Sequence, residues 1–398
     1  MYQNFHNNLY ICRVIVRKMR KIVVAFDSFK GSLSSAEAAE AFIAGVRSID
    51  PAVECRAVAI ADGGEGTVEA LVETMQGEYV SVEVADPLMR PIVARYGVID
   101  GGKTAVMEMS AASGLPLLRT EERNPLKTTT YGTGQMILDA LGRGCRKFLI
   151  GIGGSATNDA GVGMLRALGF RFLDGEGREL TGGGECLRQI ASIDESGAAD
   201  GLRDSEFVVA CDVTNPLYGP EGAAYVFAPQ KGADAGMVEQ LDRGLRVFAD
   251  VVKSHNGQDV ATLQGAGAAG GLGGGFKALL GAKLERGIEM VLGAMRFDEI
   301  IAGSDLVITG EGRLDAQTVM GKAPSGVLSA ARRQGIPCIA IGGGVRWCEE
   351  LRGSDFAAIL PIVSAPMALE EAMRCDVAAQ NVERTAQQVG RMLKIKLN

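Results

Sequence analysis

Four short stretches set carboxylates beside glycine, serine or asparagine directly after apolar runs. They are Asp27-Ser28-Phe29-Lys30, Asp62-Gly63-Gly64-Glu65-Gly66, Asp212-Val213-Thr214-Asn215-Pro216 and Thr309-Gly310-Glu311-Gly312-Arg313-Leu314-Asp315. Any one of them also reads as a helix cap or a turn. Four at equivalent places suggest a site, because open α/β sheets gather ligands at the carboxyl ends of their strands. The residue types suit phosphoryl transfer: carboxylates hold a divalent cation and orient a hydroxyl, lysine meets phosphate charge, and glycine lets backbone N–H groups come close. A fifth stretch, Gly151 to Asn158, also follows a strand. Its Gly153, Gly154, Ser155, Thr157 and Asn158 offer donors just before a helix, as a phosphate cradle would; the plainer reading is a tight turn with a helix cap.

Two formal motif matches fail on context. Gly97 to Thr104 (GVIDGGKT) fits the P-loop string. That loop needs a helix after it, and here Asp100-Gly101-Gly102 is hairpin chemistry followed by the strand-like TAVMEMS. Gly151-Ile152-Gly153-Gly154-Ser155-Ala156 loosely fits a dinucleotide fingerprint, but the first strand, where a nicotinamide enzyme needs its glycines, is followed by Asp27-Ser28-Phe29-Lys30. A nicotinamide-dependent oxidoreductase is therefore the weaker alternative. So is a non-catalytic two-domain binding protein, which has no need of clustered carboxylates.

Composition removes other classes. Among 398 residues there are two histidines, His6 and His255, so Ser-His-Asp, Cys-His and His-metal chemistry lack their parts, and acid–base work falls to carboxylates or lysine. His255 reads as a solvated loop residue. The eight cysteines form no CxxC pair, which argues against zinc, and a large chain without a secretory signal reads as reduced and cytoplasmic. The net charge of −7 and the lack of basic runs argue against nucleic acid. No uncharged apolar run is long enough for a bilayer.

The elements that would carry these loops follow from pattern. Residues 1–18 lack caps and periodicity and read as an extension outside the fold; a transit peptide is the lesser reading. From Met19 the chain reads β-α-β-α-β: KIVVAF, a helix opened by a Ser34/Glu37 capping box and ending near Ile49, a strand over 53–60, a helix over 66–75 and a strand over 79–84. The style returns late, with strands at 306–309, 337–341 and 357–361, a helix over 324–334 and a long one over 368–393. The roughly 200 residues between must form another domain. The expected architecture is an α/β fold of two domains: a discontinuous Rossmann-like open parallel sheet over 19–85 and 290–398, and an inserted α/β domain over 86–289. Gly265 to Gly275 (GAGAAGGLGGG) reads equally as a flexible linker or as a close-packed hinge or anion loop.

Several segments in order resemble the bacterial glycerate kinases of the type I family: KIVVAFDSFKGSLSSAEAAEA, ADGGEGT, DPLMRPIVARYG, AVMEMSAASGL, IGIGGSATNDAGVGML, CDVTNPLYGPEGAAYVFAPQKGA, AGAAGGLGGG and ITGEGRLDAQTVMGKAP. The resemblance runs from about Met19 to the C-terminus, and residues 1–18 fall outside it. It implies two α/β domains, one discontinuous, with the site between them, and transfer from ATP to D-glycerate, with 2-phosphoglycerate favoured over 3-phosphoglycerate. Joined to the residue reading, it makes Asp62, Asp212 and Asp315 the candidates for Mg2+ binding or for the base. Lys30 would counter phosphate or carboxylate charge. Asp27, Ser28, Gly63, Gly64, Gly153, Gly154, Ser155, Thr157, Asn158 and Asn215 are binding candidates, with Glu311, Arg313 and Lys322 further ones. The expected partners are D-glycerate and ATP, with no nucleic acid and no membrane, in a monomer or homodimer.

Overall fold

The computed structural model describes residues 21–394. Residues 1–18, with His6, lie outside them. The strands in chain order are β1 (Lys21–Phe26), β2 (Glu54–Ala59), β3 (Glu78–Ala85), β4 (Pro91–Ile99), β5 (Thr104–Glu108), β6 (Lys147–Gly151), β7 (Arg171–Leu173), β8 (Ser192–Asp194), β9 (Glu206–Ala210), β10 (Lys283–Glu285), β11 (Leu306–Leu314), β12 (Cys338–Val345) and β13 (Ala358–Pro361). Two compact units result among the described residues, one taking 21–59 and 297–394, the other taking Ile60–Arg296.

The first unit is an open sheet of order β13-β12-β11-β1-β2. Every pairing in it is parallel. Its interior strand β1 is buried along Ile22–Phe26, as expected for an unbroken apolar run covered on both faces. The helix Ser35–Ile49 starts on the capping box read from sequence, in which the Glu37 N–H donates to Ser34 Oγ and the Ser34 N–H donates to Glu37 Oε2. The helix at the far end of the chain is broken where one long helix was expected. Leu369–Ala372 and Cys375–Met392 are separated by Arg374, whose backbone is extended and whose guanidinium turns to Asp376.

The second unit holds a six-stranded mixed sheet, β10-β9-β6-β5-β4-β3. The strands from β10 to β5 run parallel, and β4 and β3 pair antiparallel. The compact units divide the chain at other points than the expected boundaries. The strand expected to be third in the first sheet is β3, the antiparallel partner of β4, and residues 60–85 belong with the second unit, as do 290–296. The reason is local. Between β3 and β4 the chain turns back within Asp86–Arg90, where the Asp86 N–H donates to the Arg90 carbonyl and Arg90 Nε pairs with the Asp86 carboxylate. So short a connection permits only an antiparallel neighbour.

The P-loop string is a hairpin, as its context indicated. Asp100, Gly101 and Gly102 all have positive φ, and Thr104 opens β5, which pairs antiparallel with β4. The glycine-rich run is no linker. Ala268–Leu280 is a buried helix with left-handed backbone at Ala269, Gly270 and Gly271, and a Cβ at Gly270 would lie 2.0 Å from the Thr157 carbonyl oxygen. Close backbone packing, not flexibility, explains these glycines. Among the described residues no helix is long and apolar enough to cross a membrane.

Candidate active site

In the second unit, parallel strands β6, β9 and β10 end at the same edge, and three backbone segments crowd there with the Asp62 loop. A Cβ at Gly151 would lie 2.5 Å from the Gly63 carbonyl oxygen, and one at Gly63 (φ 87°) would lie 2.4 Å from Gly287 Cα. The Asp62-Gly63-Gly64 turn is thus pressed between the ends of β6 and β10, and its first N–H contact is internal, with the Gly64 N–H donating to Asp62 Oδ1 at 3.2 Å. Asp212, just after β9, accepts the Gly287 N–H on Oδ1 at 3.0 Å. Burial pushes its carboxyl above the ordinary aspartate range, opposed by the Gly287 N–H and reinforced by the nearby Asp62 carboxylate; Arg286 pulls it back and Glu289 raises it. Two of the three expected aspartates therefore share one locality.

Two residues absent from the sequence reading help to build this locality. Arg286 supplies a positive charge near Asp212. Glu108, the last residue of β5, accepts the Val68 N–H at 3.1 Å and so caps, from 40 residues away, the helix Thr67–Met75, whose N-cap residue Gly66 has no side chain to do so. Burial raises the Glu108 carboxyl, and the Val68 N–H opposes this. Local sequence signals cannot show either role, because both depend on strand order.

The Gly151–Asn158 loop divides in two. Gly153 and Gly154 are exposed, and Gly154 has φ 71°. Ser155, Thr157 and Asn158 are buried, and of the five expected binding residues Gly153 and Gly154 are the exposed ones. The chain has to dive because Gly161 and the helix Val162–Ala167 pack into the core behind it. Asn215 donates its amide to the Glu221 carbonyl at 2.7 Å and so closes the loop after Asp212.

The remaining candidates lie in the first unit. The Asp27 N–H donates to the Gly310 carbonyl, and Asp27 Oδ1 accepts the Ser28 N–H at 2.6 Å. Lys30 sits exposed on the following turn, with no hydrogen bond or ion pair to its side chain among the described residues. Thr309 to Leu314 was read as a loop, and this is corrected: β11 continues through it, paired with Gly342 and Gly344 of β12. Glycine on both strands makes this possible, since a Cβ at Gly310 would lie 2.1 Å from the Ile341 carbonyl and one at Gly343 2.4 Å from that of Gly312. Glu311 accepts a hydrogen bond from Thr318 at 2.6 Å and lies 3.9 Å from Lys322 Nζ. Asp315 caps the short helix Ala316–Val319 through Gln317 and pairs with Arg313 at 3.3 Å. His255 is exposed in the last turn of the helix Ala235–Asn256, where a loop was expected.

The crowding at Gly287 gives a direct test. A Cβ there would lie 1.9 Å from the Asp62 carbonyl oxygen. Gly287→Ala is expected to cost about 1–3 kcal/mol of stability, as overpacked interiors do. Urea denaturation checks this, and an unchanged midpoint would mean that the Asp62 turn is not held in this way.

Comparison with known proteins gives one answer throughout. The model of the Glycerate kinase family matches residues 22–394. A glycerate kinase of Bacillus subtilis (strain 168) is 48% identical over 376 residues, covering 94% of this chain and 98% of the relative. A glycerate 2-kinase of Escherichia coli (strain K12) is 44% identical over 378 residues, covering 94% and 98%. A crystal structure from Salmonella typhimurium LT2, of a protein provisionally named glycerate kinase 2, superposes with a TM-score of 0.87 at 46% identity, covering 94% of this chain and 98% of that one.

Proposed function

The chain belongs to the glycerate kinase family and is a kinase, and on that premise we propose that it transfers the terminal phosphoryl group of ATP to the 2-hydroxyl of D-glycerate. The observation that carries the site assignment is the convergence of Asp62, Asp212 and the exposed Gly153–Gly154 turn at the carboxyl edge of one sheet. The E. coli relative's name supports the 2-position.

Asp212 is the acceptor for the hydroxyl proton, since burial and the Asp62 charge both raise its affinity for a proton. The Gly153 and Gly154 backbone receives an anionic group of a substrate. Lys30, Arg313 and Lys322 offset substrate charge. Asp315 keeps its helix in place and orients Arg313. The donor set fits Mg2+: the Asp62 carboxylate lies at the carboxyl edge of the sheet, close to that of Asp212. Mg2+ commonly uses one or two carboxylates and completes its shell with water and phosphate oxygens. Asp62 would hold it, leaving Asp212 for the proton, and when bound it would neutralise charge on the phosphates.

The test is ADP release, with the phosphorylated product read by phosphorus–proton NMR. ADP should form only when D-glycerate and Mg2+ are both present, and the ester phosphorus should couple to the C2 proton. ADP formation independent of D-glycerate would overturn the substrate, and coupling to the C3 protons would overturn the position.

A further inference from the structure

Lys231 is fully buried, in the short turn Pro229–Lys231, and the aspartate-based chemistry makes no use of it. Its Nζ donates to Ser155 Oγ at 2.7 Å and to the Thr157 carbonyl at 2.6 Å. These are the residues just behind the exposed Gly153–Gly154 turn. The loop's own polar side chains do not secure this stretch, since Thr157 Oγ1 and the Asn158 amide have no hydrogen-bond partner among the described residues. The lysine's own turn is fixed: Gly232 has φ 93°, and a Cβ there would lie 2.3 Å from the Arg123 carbonyl oxygen.

Burying an ammonium is costly, and methionine would fill much the same volume at no such cost. Here burial pushes the Lys231 amine down to about 7, against the pull of Asp159. That carboxylate is itself anchored, with Oδ2 accepting from the Thr130 N–H at 2.8 Å, Thr130 Oγ1 at 2.9 Å and the Gly163 N–H at 3.2 Å. The backbone on the other side of the loop is also held, by the Leu115 N–H donating to the Gly154 carbonyl and the Ala156 N–H to that of Ser113. Thr128 Oγ1 also donates to the Ala156 carbonyl at 2.8 Å, and Lys231 adds the interior attachment at Ser155 and Thr157.

We infer that Lys231 is a positioning residue: by gripping Ser155 and Thr157 it sets the Gly153–Gly154 turn at the height and orientation in which its backbone receives a substrate anion. This rests on the reading that the turn binds that anion. Lys231 touches no substrate in this account; it acts through the loop.

The test is steady-state kinetics on the full chain with Lys231→Met, Lys231→Gln and Gly153→Val, varying ATP and D-glycerate separately, with melting curves to confirm folding. Loss of the two charge-assisted bonds should raise KM for one substrate, the one the turn holds, by roughly tenfold or more. The other KM should stay put and kcat should fall less than the affected KM rises. Lys231→Gln, which keeps an N–H donor at a similar reach, should fall between wild type and Lys231→Met, and it carries the test alone if the methionine variant does not fold. Gly153→Val should raise the same KM. If Gly153→Val raises one KM and the folded Lys231 variants leave both unchanged, or lower kcat alone, the positioning role is wrong and the turn's role stands. If none of the three moves either KM, the turn does not bind the anion.

Discussion

Asp212→Asn should lower kcat by about 100-fold or more, the scale of losing a general base or a metal carboxylate. The amide keeps an oxygen for the Gly287 N–H and nearly the same volume, so the fold should survive, and a melting curve near wild type would certify this. Asp62→Asn should fall in the same range through loss of the carboxylate pair. Asp315→Asn separates a site from a scaffold. Asparagine is as good a helix cap as aspartate, and Asp315 already serves as the cap of Ala316–Val319, so this variant should retain most of its turnover. His255→Ala should be silent, because the ring is exposed at a helix end. A hundredfold loss at Asp315 with Asp212→Asn still active would move the chemistry to the first unit's acidic group.

The second large effect sets two lysines against each other. Lys103 completes a formal P-loop string yet sits exposed between a hairpin turn and β5. Lys30 matches no phosphate signature yet follows an interior strand of a parallel sheet, and its backbone N lies 3.4 Å from where a Gly312 Cβ would stand. Removing a charge-assisted contact to phosphate or carboxylate costs about 1.5–3 kcal/mol, so Lys30→Ala should lose roughly tenfold or more in kcat/KM. Lys103→Ala should stay within about 0.5 kcal/mol of wild type in stability and unchanged in turnover. The reverse ranking, with ATP affinity lost at Lys103, would overturn the hairpin argument.

Much of the first unit was legible because its signals are local. KIVVAF is buried as read, the Ser34/Glu37 box caps the helix as read, and Asp-Gly-Gly makes the hairpin that unmasks the P-loop string. The errors arose where partners are distant. Sequence period cannot tell whether β3 pairs with β1's sheet or with β4; the Asp86–Arg90 turn decides it, and five residues containing Asp-Pro were the available clue. Gly310 and Gly312 look like loop residues until the matching glycines of β12 are set beside them. The Asp62 and Asp212 loops could be nominated one by one, but their meeting depends on sheet order. Lys231, in the polar-looking run PQKGA, gave no sign of being interior.

The first unit is assembled from the two ends of the chain, and that has a consequence for biosynthesis. The helix Ser35–Ile49 packs on Cys375–Met392 so closely that a Cβ at Gly45 would lie 2.3 Å from the Glu383 carbonyl. Strand β1 lies between β2, which begins at Glu54, and β11, which begins only at Leu306. On the ribosome the apolar strand β1 therefore emerges long before its second neighbour and the covering helix exist, while residues 60–296 emerge as one uninterrupted stretch. Synthesis proceeds at ~5–20 residues per second, so the wait lasts on the order of ten seconds or more, with an unpaired strand edge exposed. Nascent-chain chaperones that shield such edges should matter most for the segment made first, and a premature stop anywhere before Cys375 should leave that segment orphaned however well the middle of the protein has folded.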